Sequence, residues 1–183
     1  MKNYAGNLLI ANPTNPEDDL SRAVLLCLSH TKDVSIALQI NKLQTDNTLS
    51  SIARNLNIQY YGNDPIWYGG NIAMDKVHII HSLDWRGVGT IPLTNSIGVT
   101  HDISILMAIA QDEGPAYLKA CAGYWLFDKG RLDKHLGKER DPLDPFKWEI
   151  LPADIDNVFN TDHDILWEAC LQQSIQIKVK SYF

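Results

Sequence analysis

The chain has 183 residues, 45% of them hydrophobic and 21% charged, the composition of an ordinary globular protein rather than a disordered one. A chain of this length buries roughly 70% of the surface its unfolded form exposes, so it needs neither disulfides nor a structural metal to hold a core. Its 16 basic and 22 acidic residues leave a formal charge of −6, most of it in residues 93–183, and such a surface disfavours nucleic acid as a partner.

Strands dominate the first third. Leu8–Ala11 is a short apolar run stopped by Asn12-Pro13. Ala23–Leu28 and Val34–Ile40 are two further runs joined by a short polar link, the pattern of a hairpin, with Ile36, Leu38 and Ile40 on one face. Leu49, Ile52, Ala53 and Leu56 then recur at helical spacing behind Asp46-Asn47-Thr48, which supplies the cap. A glycine-rich stretch through Tyr68-Gly69-Gly70 precedes a strand over Lys76–His81, with Val77 and Ile79 on one side and His78 and Ile80 on the other.

Asp102 heads a helix carrying Ile103, Leu106 and Met107, ended by Gly114-Pro115. Tyr117–Tyr124 and Trp148–Leu151 read as strands. Asp162 caps a last helix expected to turn Ile165, Leu166, Ala169 and Cys170 inward. The tail alternates Ile175, Ile177 and Val179 with Gln176, Lys178 and Lys180, which predicts an edge strand whose lysines discourage intermolecular pairing. Asn12–Asp19 and Lys138–Pro145 are expected as extended loops. Hairpin-joined strands mixed with helices argue for an α+β fold in one domain spanning 1–183.

Few motifs carry chemistry. Gly87-Val88-Gly89-Thr90-Ile91-Pro92 begins like a dinucleotide loop but ends in proline where helix and strand must pack closely, so it is expected to be a turn. No phosphate-cradling loop is present, and Ser96 lacks the preceding glycine of a nucleophile elbow. Cys27, Cys121 and Cys170 are too far apart for a redox pair. Free thiols in apolar runs suit a reducing compartment, and with neither an apolar leader nor a membrane-length run the protein is expected in the cytoplasm, off the membrane. His78 and His81 are three apart on a strand and therefore point to opposite faces, as do Cys27 and His30, so no intrinsic metal or cofactor is expected.

Ser29-His30 and His81-Ser82 each end an apolar strand, where polar groups emerge beside loops. The basic stretch Lys129–Arg140 reads as a solvated helix face with Leu132 and Leu136 turned inward.

In their order and spacing, several segments resemble the AlgH/YqgE family, a bacterial group often labelled as transcriptional regulators. They are Leu9–Pro13, the strand leading to His30, Leu38–Lys42, Tyr68-Gly69-Gly70, His81-Ser82, Thr100-His101-Asp102, Ala122-Gly123-Tyr124, Gly130–Asp133 and Trp167-Glu168-Ala169. The resemblance covers about residues 6–171, leaving 172–183 as an extension. Departures mark a divergent member: Val34-Ser35-Ile36-Ala37 stands where the family usually has glycines, Leu43 replaces a proline, and Leu126-Phe127 replaces glycine-tryptophan. The resemblance implies a mixed, largely antiparallel sheet partly curled toward an open barrel, with helices packed outside, and it carries no catalytic set.

The expected role is a non-catalytic binding or regulatory module for a protein partner or small ligand. Its candidate residues are His30, Asn41, Lys42, Tyr68, Gly69, Gly70, His81, Thr100, Asp102, Tyr124 and Arg131. One alternative is an enzyme using His30, His81 and Asp102 as an acid–base group. A transcriptional regulator is a second alternative, although no helix-turn-helix pattern supports DNA docking.

Overall fold

The computed structural model describes residues 3–13, 19–128, 130–136 and 146–181. Among the described residues, ten strands and four α-helices follow in the order β1 (Asn7–Pro13), β2 (Val24–His30), β3 (Val34–Gln39), β4 (Leu43–Thr48), α1 (Leu49–Asn55), β5 (Pro65–Tyr68), β6 (Ile72–Ser82), β7 (Ile91–Pro92), β8 (Ile97–Thr100), α2 (Ser104–Ala110), β9 (Leu118–Asp128), α3 (Arg131–Leu136), β10 (Phe146–Pro152) and α4 (His163–Lys180). A single wide, π-type turn over Asp156–Asn160 separates β10 from α4.

The sheet runs β10-β1-β2-β3-β9-β6-β8-β7, with β4 paired to β5 and β5 to β9. The β5–β9 pair is parallel and the other pairs are antiparallel, the mixed sheet of an α+β protein. It curls into a half-barrel, so that β2 and β3 face β7 and β8 across its mouth.

Three apolar layers follow from the period-two alternation of the strands. Leu8, Ile10, Val24, Leu26, Leu38 and Ile80 point into the half-barrel, which Leu166 and Cys170 of α4 plug. Leu9, Leu25, Ala37 and Phe127 point outward onto Trp148 and Leu132 of α3. Ala120 and Ala122 of β9, with Ile79 of β6, lie beneath Leu49 of α1 and Leu106 of α2. Both faces of the central strands are covered, which is why they read as near-continuous apolar runs rather than as polar–apolar alternation.

Caps fall close to where the sequence puts them. Thr48 accepts from the Ser51 N–H in a reciprocal box at the start of α1, and Asp162 accepts from the Asp164 N–H at the start of α4. The Asp102 carboxylate accepts from the Ser104 N–H at 2.8 Å. Gly87–Thr90 forms a turn closed by the Thr90 N–H on the Gly87 carbonyl.

The tail is the main correction. Residues 175–179 are not an edge strand but the last turns of α4. Nothing between Asp162 and Ser181 breaks a helix already nucleated, and extending a helix is far easier than starting one. Ile175, Ile177 and Val179 all stay half-exposed, so the alternation marked no sheet face, and Lys178 pairs with Glu149 of β10 to pin the helix down. Ile165 also turns outward, while Leu166 and Cys170 are buried. Residues 46–48, expected as cap candidates, fall in β4, the glycine-rich stretch supplies β5, and β6 begins at Ile72 rather than Lys76. Of the loop expected over 12–19, residues 12–13 end β1 and residues 14–18 lie outside the described residues, as does the loop expected over 138–145.

The long strand β9 joins the halves. Its first part lies between β5 and β6, and Trp125–Asp128 pair with β3. At the handover, the Gly69 N–H donates to the Ala122 carbonyl at 2.7 Å, and the Gln39 N–H donates to the Gly69 carbonyl at 2.8 Å. The backbones are so close that a Cβ on Gly70 would sit 2.1 Å from the Tyr124 carbonyl carbon. One on Gly123, at φ +70°, would sit 2.5 Å from the Gly70 carbonyl oxygen.

Gly70→Ala and Gly123→Ala should therefore each destabilise the protein by about 3 kcal/mol or more, as overpacking against rigid backbone does. Gly130→Ala, at the same φ but with nothing within 4 Å, should cost only about 1–2 kcal/mol. Urea midpoints of the three variants check the contrast, and equal losses would remove the crossing from its place in the fold.

Candidate functional site

α1 and α2 stand on the outer face of β6, and the space between them is not filled. Leu49, Ile52 and Leu56 on one side and Ile103 and Leu106 on the other wall a cleft of about 670 Å³, floored by Val77, His78 and Ile79. A second cleft of about 520 Å³ opens at the mouth of the half-barrel, between Leu28 and Ile36 on β2 and β3 and Ile91 and Val99 on β7 and β8. His78, His101 and Tyr124 line both, so they form a sill between the two. Sites for small molecules commonly enclose about 300–1,000 Å³, mostly apolar with a few placed polar groups.

The electrostatics of the sill are asymmetric. Burial, aided by the neighbouring His101, holds the His78 imidazole below its ordinary pKa, so it is neutral at pH 7. Its ring stands edge-on to Tyr124 with centroids 5.9 Å apart. Asp102 is held below the usual carboxylate range, chiefly by its bond from the Ser104 N–H, and remains ionised.

The eleven residues expected from sequence do not converge. Thr100 lines the mouth cleft, Asp102 the outer cleft, and Tyr124 both. His30 sits on the opposite flank, where its Nδ1 lies 2.7 Å from the Ser35 hydroxyl and its Nε2 3.4 Å from the Asp133 carboxylate. Arg131, at the start of α3, lies over the Phe127 ring nearby. Asn41 is a latch: its side chain accepts from the Val24 N–H and donates to the Arg22 carbonyl, tying the end of β3 to the start of β2. Lys42 rests on the Tyr68 ring, 4.5 Å from its centre, beside Gly69 and Gly70 in the backbone crossing.

His81 is fully buried. Its Nδ1–H donates to the Ser82 carbonyl at 2.9 Å and its Nε2 accepts from the Thr90 hydroxyl at 3.2 Å. Ser82 in turn bonds Asp84 and the Tyr117 N–H. This knot fastens the end of β6 to the connection entering β9. His30 and His81 stand on strands three places apart, and the register sets them level with Phe127 and Leu118 at opposite ends of β9; His30, His81 and Asp102 share no hydrogen bond or ion pair among the described residues.

Sequence reading missed His78 and His101 as site residues, because their meeting depends on strand register. It also missed Lys119, a buried cation whose Nζ donates to the Ile40 carbonyl at 3.1 Å and lies 4.0 Å from the centre of the Trp67 ring. Burial brings its pKa down to about 8. A lysine between Leu118 and Ala120 inside an apolar run was the available signal.

A half-barrel plugged by one helix, with an apolar cleft under two others, defines the class of protein. The AlgH-like family model (DUF179) matches residues 8–179, and the chain belongs to that family. A UPF0301 protein of Ruegeria pomeroyi is 30% identical over 91% of this chain and 89% of its own length, and one of Methylococcus capsulatus is 24% identical over 93% and 91%. The solution structure of the AlgH protein from Pseudomonas aeruginosa superposes with a TM-score of 0.73 at 19% identity, covering 98% of this chain and 94% of that one. A crystal structure of a Corynebacterium diphtheriae protein gives 0.70 at 14% identity, over 91% and 85%. These likenesses show the shared fold. The family match runs past residue 171 into the segment expected as an extension. No helix among the described residues is long and apolar enough to cross a membrane.

His81 gives a pH signature with a definite sign. Burial, the largest influence, lowers its pKa in the folded state, so between that value and the ordinary 6.5 the unfolded chain binds a proton that the folded chain does not. Stability should fall as pH drops below about 6.5. Urea midpoints of His81→Gln measured above and below that value should show a smaller pH-dependent loss than the parent protein.

Proposed function

We propose that the chain is a non-catalytic binding module whose ligand is a small, largely apolar molecule. The cleft between α1, α2 and β6 is the observation that carries this reading: its walls are aliphatic, its volume fits a small molecule, and polar groups gather only along the sill. Acid–base catalysis needs a group titrating near neutral pH within reach of its target. Asp102 is pulled away from that range, and His81 is spent on its own bonds. Three buried, unpaired thiols support a cytoplasmic setting, and the net charge of −6 weighs against a DNA-binding role.

The neutral probe N-phenyl-1-naphthylamine should bind saturably at one site with enhanced fluorescence. Ile103→Trp, which fills the cleft from its exposed rim, should abolish that enhancement while leaving the circular dichroism spectrum unchanged. Saturable binding that survives the substitution, or no binding to the parent protein, would count against the reading.

One observation favours an enzyme instead: Ser35, His30 and Asp133 form a hydroxyl–imidazole–carboxylate chain. Ser35 and His30 are cross-strand partners, both buried, and neither described cleft reaches them, which supports a structural role. A fluorophosphonate probe should leave Ser35 unlabelled in the native protein. Labelling that disappears in Ser35→Ala would establish the enzyme.

A further inference from the structure

The ladder between β6 and β8 ends at the pair Ile79 and Thr100. One step beyond it stand His78, still within β6, and His101, the first residue after β8, so the two histidines flank the end of the ladder. The last paired residues of such a ladder hold their Cβ atoms about 4.5–5.5 Å apart, which brings the residues just beyond them within reach of one another. Both imidazoles line the same two clefts, and the charge of one is felt by the other. His101 is exposed, while the His78 Nε2 is shielded from solvent and has no hydrogen-bond partner among the described residues. A buried imidazole nitrogen without a partner calls for an occupant.

We propose that His78 and His101 form a cross-strand chelate for a late first-row divalent cation, with Cu²⁺ bound more tightly than Ni²⁺ or Zn²⁺. Imidazole nitrogen suits these three ions, and affinity for a given donor set peaks at copper. Charge at the site favours a cation over an anion. Asp75 and Lys76 of β6, Asp102 before α2 and Tyr124 of β9 are the other titratable groups facing it. Lys76 already lies 3.6 Å from Asp75, which leaves Asp102 as the uncompensated charge. The residues that α1, β2, β3 and β7 bring to the clefts do not titrate.

Among the described residues, Asp162, His163 and Asp164 form the one group of three such side chains with ligand atoms already in mutual reach. The histidine pair therefore supplies two nitrogens and leaves the remaining positions to water. Sequence reading expected no metal because the pairs close along the chain point to opposite faces, and which distant segments meet is not written in one sequence. The chelate does not require an occupant in the aliphatic part of the cleft, so it can fail while the binding-module reading stands, and the reverse.

Isothermal titration of the full chain with CuCl₂ and NiCl₂ tests it, in a non-chelating buffer at about pH 7.5, where imidazoles are neutral. One saturable site is expected, tighter for copper. His101→Ala and His78→Gln should each weaken it by about tenfold or more, and His163→Ala should leave it unchanged. Acidification to about pH 5 should release the ion as protons take the nitrogens. His101 is exposed, so its substitution keeps the test valid even if the His78 variant folds poorly. Absence of a saturable site, retention of the site in His101→Ala, or its loss in His163→Ala would each overturn the proposal.

Discussion

The close passage of the Gly69-Gly70 backbone over Gly123 is the constraint on which the rest of this fold depends. At that point β9 leaves β5 and takes up β3, and a strand can change partners only where the crossing chains approach without side chains between them. The crossing lets one strand serve two parts of the sheet. It sends Ala120 and Ala122 under α1 and α2, and Trp125 and Phe127 under α3. Tyr124, the residue after Gly123, is thereby delivered to the sill of the two clefts. The geometry of the candidate site is set by a backbone contact rather than by the residues that line it.

Curling of the sheet has a second consequence. The interior of the half-barrel is filled from both ends of the chain, by β1 and β2 on one side and by Val158, Leu166 and Cys170 on the other. The indole N–H of Trp167 donates to the Ala11 carbonyl at 2.5 Å and Arg22 lies over the same ring, so α4 is seated on β1 by polar as well as apolar contacts. At the mouth, Leu28, Ile36 and Val99 border a space that this filling leaves open, and that space is the second cleft. One packing scheme thus produces both a well-sealed core and an opening at its rim.

Polar groups divide into those that hold the structure and those that face an opening. Asn41, His81, Ser82 and Asp84 spend their bonding capacity on backbone or on one another. Burying polar groups costs little once they are satisfied, so the buried His81 and Ser82 need no functional account. His78 differs in leaving a shielded nitrogen unpaired at the wall of a cleft. Lys119 is an intermediate case, with its ammonium resting on one carbonyl and one aromatic face.

The sequence by itself determined the local elements and the kind of fold. The apolar runs at Leu8–Ala11, Ala23–Leu28 and Val34–Ile40, and the caps at Thr48 and Asp162, were legible because strand alternation and helix capping act over a few residues; Asp102 stands one residue before the N-cap Ile103 of α2. The ordered short motifs carried the family. Where signals were ambiguous over a short range, tertiary packing decided: Ile175, Ile177 and Val179 alternate like a strand, yet they continue a helix already seated on β1 and β10. The site was legible only in pieces, in Thr100, Asp102 and Tyr124. His30 and His81, equally suggestive in sequence, were drawn into separate bonding networks on different strands. The meeting of His78 and His101 required the register of two strands whose partners lie about twenty residues apart, and the clefts required a curled sheet. Register and curvature arise from the simultaneous packing of distant segments, and no window of local sequence contains them.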